Sequence, residues 1–312
     1  MDFEQSTDAA RITALLREEL PAERIGERDF VKQVLLDPNF DPAGSILATD
    51  QGQAVGYVLA MGRRVPLENA PDDGHRGYIT LMGVDARHRG KGIGAELLEQ
   101  AEAFHRERGR EEVWISPYAP GYFCPGVDVQ AYAEGLEFLK RRGYQEVYRP
   151  IWMETSLEHY LAIPEWVQQI RARLESEGVL IVPMSPRFVW ETLQFVERCF
   201  PGDWVRVVRH RMQEILDEWA GADHLYLAVD AQGKVIGFSH YDRSRFGPIG
   251  VDPDHRGRGI GQVLLHQTLF VQRSRNYTHS YFRWSDDRTA AKLYEGAGFQ
   301  IKRRFALLKK TF

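Results

Sequence analysis

Hydrophobic and polar positions in this chain follow one order of periods, and follow it twice. Over residues 9–20 and 29–36 apolar side chains recur every three to four positions, which predicts two helices. Apolar runs at 45–48 and 54–61 predict two strands, joined through Asp50-Gln51-Gly52 as a hairpin. The second half repeats this with helices at 186–199 and 205–219 and strands at 225–229 and 235–241, joined through Asp230-Ala231-Gln232-Gly233. Each half then predicts a strand (78–84; 246–251), a glycine-rich turn and an amphipathic helix. On those helices Ile93, Leu97, Leu98, Ala101 and Phe104, and likewise Ile260, Val263, Leu264 and Val271, keep the helical period. A strand at 113–116 or 281–284 leads to a last helix, ended by Gly143-Tyr144 or Gly298-Phe299, where glycine suits the C-terminal cap. Closing strands are predicted at 144–154 and 299–309. Between the halves, Ile163, Trp166, Ile170 and Leu174 predict a helix packed on one domain rather than a flexible tether. The division that follows is an N-terminal domain at 1–156, a helical linker at 157–178 and a C-terminal domain at 179–312.

The duplicated turn carries the chemistry. It reads Gly83-Val84-Asp85-Ala86-Arg87-His88-Arg89-Gly90-Lys91-Gly92-Ile93-Gly94 first, then Gly250-Val251-Asp252-Pro253-Asp254-His255-Arg256-Gly257-Arg258-Gly259-Ile260-Gly261. Glycines at a strand-to-helix junction let the backbone turn tightly and bring several unpaired N–H groups against one anion. The helix N-terminus adds partial positive charge, worth about 0.3–1 kcal/mol per exposed anionic group. A solvated basic loop would also show Arg89, Lys91, Arg256 and Arg258, but would not need the glycines beside them. Both turns therefore predict a pyrophosphate grip.

One difference separates the halves. Arg89 to Gly143 is twelve residues longer than Arg256 to Gly298, and the excess lies in 117–128, a loop with three prolines and two glycines. Loops of that length are often functional. Contact with the other domain and closure of the N-terminal cleft are both open to it.

Composition narrows the partners. The 312 residues suit two domains of ordinary size, and 40 basic against 44 acidic residues leave a net charge of −4. That balance gives no general attraction for nucleic acid or a membrane surface. Cys124 and Cys199 are the only cysteines, without metal-ligand spacing, and read as two reduced thiols. The acidic start Met1-Asp2-Phe3-Glu4-Gln5 has no apolar signal core, and no run reaches the ~20 apolar residues of a membrane span. A cytoplasmic protein, monomer or homodimer, is expected.

Set between these strands and helices, repeated, and followed by Thr289-Ala290-Ala291-Lys292-Leu293-Tyr294-Glu295-Gly296-Ala297-Gly298-Phe299, the Arg-x-x-Gly-x-Gly turn resembles the GNAT superfamily of acyl-CoA-dependent N-acyltransferases. The resemblance covers nearly the whole chain as a tandem pair. It implies an α/β fold, with an α+β mixed sheet in each of two GNAT-type domains. Their fourth and fifth strands would splay to admit the pantetheine arm of acetyl-CoA, the cosubstrate, with no metal required. A bulge in the fourth strand would free backbone N–H groups for the thioester carbonyl, with Met82, Val84, Ile249 and Val251 lining the coenzyme. Pro248 suits that bulge, because proline inside a strand is confined to edges and bulges.

In this family a tyrosine four residues before the Gly-aromatic pair commonly protonates the departing thiolate. That position is Tyr294 in the second half and Leu139 in the first. The resemblance thus implies catalysis in the C-terminal domain and an N-terminal domain that binds acetyl-CoA without turnover. Tyr294 also shares a face with Ala290, Leu293 and Ala297, so a core role is open to it. Asp287 stands where the family usually has asparagine; coenzyme contact and helix capping are its two readings. The glutamate some members place six residues before the valine is replaced by Tyr78 and Arg245. His240 is then the candidate base, at a strand end shared with Tyr241 and Asp242, against the reading of an ordinary strand-end histidine. Asp203 and Trp204 lie where the family shapes its acceptor pocket, with Tyr241 as a further substrate residue; turn chemistry explains Pro201-Gly202-Asp203 equally well. The tandem arrangement is also similar to the mycothiol synthases, but Arg245-Phe246-Gly247-Pro248 departs from them, so their substrate is not assigned.

The function these readings imply is acetyl transfer from acetyl-CoA to a small-molecule primary amine. The alternative is an acyl-CoA-binding sensor without catalysis, supported by Leu139 and opposed by Tyr294. A tRNA-dependent aminoacyl transferase on a related double fold would bring a long helical arm and a basic face, and neither is present in the sequence.

Overall fold

The computed structural model describes residues 1–286 and 289–312. It resolves into two compact units. Unit 1 holds Met1–Pro66, Asp72–Pro150 and Arg304–Phe312; unit 2 holds Leu67–Pro71 and Ile151–Arg303.

Unit 1 runs through β1 (Asp2–Gln5), α1 (Ala9–Glu19) and α2 (Glu27–Phe30), which passes into a wide helical turn at Val31–Leu35. It continues with β2 (Ser45–Asp50), β3 (Gln53–Gly62), β4 (Arg76–Val84), α3 (Ile93–Glu107), β5 (Glu112–Ile115), β6 (Val127–Asp128), α4 (Ala133–Arg141) and β7 (Gln145–Tyr148). Asp8 starts α1 by accepting the Arg11 N–H at 3.0 Å, an N-cap of the ordinary kind. The β2–β3 hairpin turns at Gln51 and Gly52, both at positive φ, the geometry whose twist matches paired strands. Alternation along β3 divides two cores. Ala48 and Val58 meet α3 through Leu97 and Ala101, while Leu47, Tyr57 and Leu59 meet α1 and α2 through Ile12, Leu16 and Phe30.

Unit 2 repeats the plan with β8 (Ile151–Ser156), α5 (Glu165–Ser176), β9 (Leu180–Pro183), α6 (Val189–Cys199) and α7 (Asp203–Leu216). It continues through β10 (Leu225–Val229), β11 (Val235–Asp242), β12 (Arg245–Val251), α8 (Ile260–Ser274), β13 (His279–Ser285) and α9 (Thr289–Glu295). One sheet face packs on α6 and α7 through Phe195, Val208 and Phe238. The other packs on α8 and α9 through Leu264, Leu265, Phe282 and Phe299. The linking helix is α5, whose buried Val167 and Leu174 join the α8 core.

The sequential division at residue 156 is crossed by exchanged strands. The predicted closing strand at 144–154 is broken at Pro150, which lacks an N–H: β7 stops before it, and β8 after it pairs antiparallel with β13 in unit 2. β14 (Gln300–Thr311) begins in unit 2, and its later residues pair with β5 of unit 1, from Leu308 opposite Ile115 to Thr311 opposite Glu112. Each sheet is thus completed by a strand that sequence order assigns to the other half.

Candidate functional site

In both units the fourth and fifth strands part. β4 pairs in parallel with β5 only from Arg76 opposite Glu112 to Ile79 opposite Ile115, then runs on to Val84. β12 and β13 pair only at Arg245 opposite Tyr281, and β12 runs on to Val251. Each opening is edged by a strand with no neighbour on that side, so part of its backbone polar groups face the gap. Both strands also bulge. Leu81 pairs with Leu59 and Ile79 with Ala60, leaving Thr80 extra. Ile249 pairs with Ser239 and Phe246 with Tyr241, leaving Gly247 and Pro248 opposite His240. The bulge expected at Pro248 is there, and Met82, Val84, Ile249 and Val251 follow the two bulges.

Next along the chain come the two glycine turns, built alike. Asp85 and Asp252 accept the N–H two residues on, at 2.9 and 3.1 Å, and open a short 3₁₀ turn. Arg87 beside Asp85 holds that carboxyl well below the usual carboxylate range. Arg89 and Arg256 each donate Nε to the carbonyl of the strand's last valine, at 3.1 and 3.2 Å. Gly90, Gly92, Gly257 and Gly259 all have φ between 75° and 88°. α3 and α8 then begin at buried Ile93 and Ile260, and neither N-terminus receives a side-chain cap. Their first-turn N–H groups are left for an outside acceptor, which is what an anion site requires. The donor set fits a pyrophosphate, and Gly94 and Gly261 keep the second helical position small.

The turns differ in what surrounds them. In unit 1, Arg89 donates to Glu19 at 2.6 Å, Lys91 makes no ion pair among the described residues, and a Cβ at Gly92 would meet nothing within 4 Å. In unit 2, α5 lies against the turn. A Cβ at Gly259 would stand 2.6 Å from Ile170, Arg173 donates to the Arg258 carbonyl at 2.6 Å, and Arg258 pairs with Glu177 at 2.5 Å. Arg258 is therefore already partly neutralised, whereas among the described residues Arg256 makes a side-chain hydrogen bond only to the backbone.

Tyr294 sits on α9 among Phe282, Phe299 and Phe246, with ring centroids 4.3, 5.8 and 6.0 Å away. Burial, helped by the charge of Asp286, pushes its phenol above the ordinary value and keeps it protonated at neutral pH. Leu139, at the matching position of α4, is buried in the α3 core. His240 is buried, and its Nδ1 donates to the Gly247 carbonyl at 2.7 Å, leaving Nε2 as an acceptor. Desolvation, with Arg211 and Arg245 nearby, pushes its pKa down to about 3. Tyr241 is turned away from the acceptor side: it shares the face of Ser239, which bonds Thr268 of α8 at 2.8 Å, and stacks on His224 at 4.5 Å. Asp203 accepts from Arg206 at 2.7 Å, and Trp204 stacks on Phe200 at 5.0 Å. Asp287 lies outside the described residues.

Two features beside the clefts were not placed by the sequence: it gave no sign of the first, and it marked the second, the 117–128 loop, without its contacts. Leu67–Pro71, from the β3–β4 connection, is built into unit 2 at the α6–α7 corner: Glu68 pairs with Arg209 at 2.5 Å, and Asn69 donates to Glu197 at 2.9 Å. In unit 1 the 117–128 loop packs on the α1–α2 side, with Tyr118 and Phe123 buried. Tyr118 donates to Asp37 at 2.9 Å and accepts from Asn39 at 2.8 Å. Tyr78, at the family's base position, packs edge-on against Tyr118 and donates to Asp73 at 2.7 Å, and Asp73 in turn holds Arg63 at 2.7 and 2.8 Å. Among the described residues no cluster of His, Cys, Asp and Glu suits a metal, and no helix is long and apolar enough to cross a membrane.

Comparison with known proteins places both halves. Residues 10–121 match a model described as the acetyltransferase (GNAT) family, and residues 221–301 one described as an acetyltransferase (GNAT) domain. The chain is 24% identical to a mycothiol acetyltransferase of Actinosynnema mirum over 96% of its own length and 93% of the relative's. It is 25% identical to that of Acidothermus cellulolyticus over 68% of itself and 65% of the relative, just under two thirds of that protein. A GCN5-related N-acetyltransferase from Sphaerobacter thermophilus shares the fold, with a TM-score of 0.74 and 21% identity over 99% of this chain and 95% of that one.

Proposed function

Because the chain is a tandem of GNAT acetyltransferase domains, we propose that it moves an acetyl group from acetyl-CoA to a primary amine of a small molecule, with transfer confined to unit 2. The observation that carries this reading is the asymmetry around one shared cleft. Unit 2 places Tyr294 beside the splayed strands, whereas unit 1 has Leu139 there and an acceptor side filled by Tyr118, Tyr78 and their partners.

Acetyl-CoA supplies the thioester. The amine nitrogen attacks its carbonyl carbon, the C–N bond forms, and the C–S bond breaks. Backbone N–H groups after the Gly247–Pro248 bulge suit the developing oxyanion. Tyr294 gives its proton to the departing sulfur. His240, with Nε2 as acceptor and a pKa near 3, is too weakly basic to keep a proton; it suits a hydrogen bond to the amine, whose proton leaves to water. Asp203 would draw a cationic acceptor to the α6–α7 corner, although Arg206 shares its charge. Unit 1, with its uncapped turn and a Lys91 that makes no ion pair among the described residues, suits acetyl-CoA binding without turnover.

The test is thiol release from acetyl-CoA across a panel of primary amines. Release that depends on an amine is expected. Acetyl-CoA binding with no amine-dependent release would instead support a coenzyme sensor, a role to which unit 1 alone is suited.

A further inference from the structure

The bulge of β4 holds a hydroxyl that none of the chemistry above uses. Thr80 is the extra residue where Leu81 pairs with Leu59 and Ile79 with Ala60. It is 6% exposed, and its Oγ1 is buried without a hydrogen-bond partner among the described residues. A hydroxyl stripped of water and left unpaired opposes folding, so its presence calls for an acceptor. Thr13 and Ser45, also buried in unit 1, find theirs in the carbonyls of Ala9 and Ser6, at 2.7 and 2.6 Å.

Thr80 stands at the mouth of the opening. Parallel pairing of β4 with β5 ends at Ile79 opposite Ile115, and the Ser116 N–H closes it by donating to the Ile79 carbonyl at 2.8 Å. Thr80 is the first residue beyond that point. Tyr78 and Leu81 join the α1–α2 core, whereas Ile79 and Met82 join the α3 core. Strand alternation therefore breaks at Thr80, in the way a bulge re-aims a side chain.

Unit 2 shows what the other copy keeps at the same place. Counted back from Val84 and Val251, which pair with Gly56 and Gly237, the counterpart of Thr80 is Gly247. A Cβ on Gly247 would meet nothing within 4 Å. That space suits an incoming amine. Unit 1 puts a side chain with a donor there instead.

We propose that the Thr80 hydroxyl donates to the acyl carbonyl of a bound acyl-CoA, so that unit 1 selects the acylated coenzyme over free CoA. The hydroxyl supplies a proton, and a thioester carbonyl can only accept one. A site built around a buried donor rejects a ligand without the acceptor, because the donor then stays unpaired. The proposal rests on the reading that unit 1 binds acetyl-CoA without turnover.

S-Ethyl-CoA matches acetyl-CoA in size but lacks the carbonyl, and calorimetry with it tests the proposal. The full chain would carry Gly257→Asp, which sets a carboxylate against the pyrophosphate in the unit 2 turn and leaves unit 1 as the site that is read. Acetyl-CoA should bind about three- to tenfold more tightly than S-ethyl-CoA or CoA, the range of one neutral hydrogen bond. Adding Thr80→Val should remove that preference by weakening acetyl-CoA alone, and Thr80→Ser should keep it. Without ligand, Thr80→Val should unfold at an equal or higher urea concentration, because no native bond is lost. A lower midpoint would reveal a partner within the fold and overturn the proposal. Equal affinity for acetyl-CoA and S-ethyl-CoA with Thr80 in place also overturns it, while leaving unit 1 a coenzyme site. Binding of none of the three removes that reading, and this one with it.

Discussion

Units 1 and 2 each carry a cleft of the same build and differ in what lies on the α1–α2 or α6–α7 face of their sheets. Both splay the same pair of strands, bulge the same strand and leave the same helix N-terminus uncapped. Beyond that, unit 1 closes its acceptor side with Tyr118, Asp37 and the Arg63–Asp73–Tyr78 chain, while unit 2 holds Trp204, His240 and a borrowed segment, Leu67–Pro71. On the proposed reading, coenzyme grip and acceptor chemistry are separable: the grip would need only glycines, a bulge and a helix end, which both units have, whereas acceptor chemistry would need particular side chains, which only one unit has.

The sharpest way to break this comparison is Tyr294→Phe, expected to lower turnover at saturating substrate by about 10²–10⁴-fold, with acetyl-CoA affinity held. Adding Leu139→Tyr should restore nothing, because the unit 1 acceptor side is filled. Near-normal turnover of the single variant would remove Tyr294 from the chemistry.

Acidification should separate the units next. Burial pushes His240 down to about 3, and His105 and His266 down to about 4, from an ordinary value near 6.5. The unfolded chain then binds more protons between pH 6.5 and those values, so stability present above pH 6.5 is lost as pH falls toward 4. The slope is up to about 1.4 kcal/mol per pH unit for each group. His240 and His266 belong to unit 2, as does His224, which is shifted the same way, while His105 belongs to unit 1. Six of the seven tryptophans are also in unit 2, so thermal melts followed by tryptophan fluorescence should show a falling midpoint between pH 7 and 5. A flat midpoint would contradict it.

A paired substitution isolates α5. Gly92→Ala and Gly259→Ala share the left-handed backbone penalty, about 1–2 kcal/mol. Only the second also collides with Ile170, adding about 1–3 kcal/mol of overpacking. Unfolding in urea should show that excess, and Ile170→Ala should remove it. The smallest effect is expected from Glu177→Gln, which frees Arg258: coenzyme affinity in unit 2 should tighten, by no more than about fivefold, as for an exposed ion pair. Calorimetry that shows weaker binding would mean that Glu177 holds Arg258 in its useful position.

Much of the fold was legible because it is local. The 3.6 and 2.0 periods found the helices and most strands, the glycines marked both turns, and Pro248 marked the bulge. β1 and β9 were missed, being four residues each with little alternation. The strand exchange left no trace in local pattern, because β8 and β14 read as ordinary closing strands and only their partners differ. Tyr241 was assigned to the acceptor face although it shares Ser239's parity, which α8 fixes. The 117–128 loop was seen as unusual, but its contacts with Asp37, Asn39 and Arg63 join positions far apart in the chain.

The exchange of β8 and β14 limits how this protein can be taken apart. A gene cut after codon 156 would yield one fragment carrying a spare ribbon and lacking its own final one, and a second fragment with the converse defect. Each would present a raw hydrogen-bonding edge and tend to precipitate alone. Co-expression of the two pieces should recover a nicked but whole molecule.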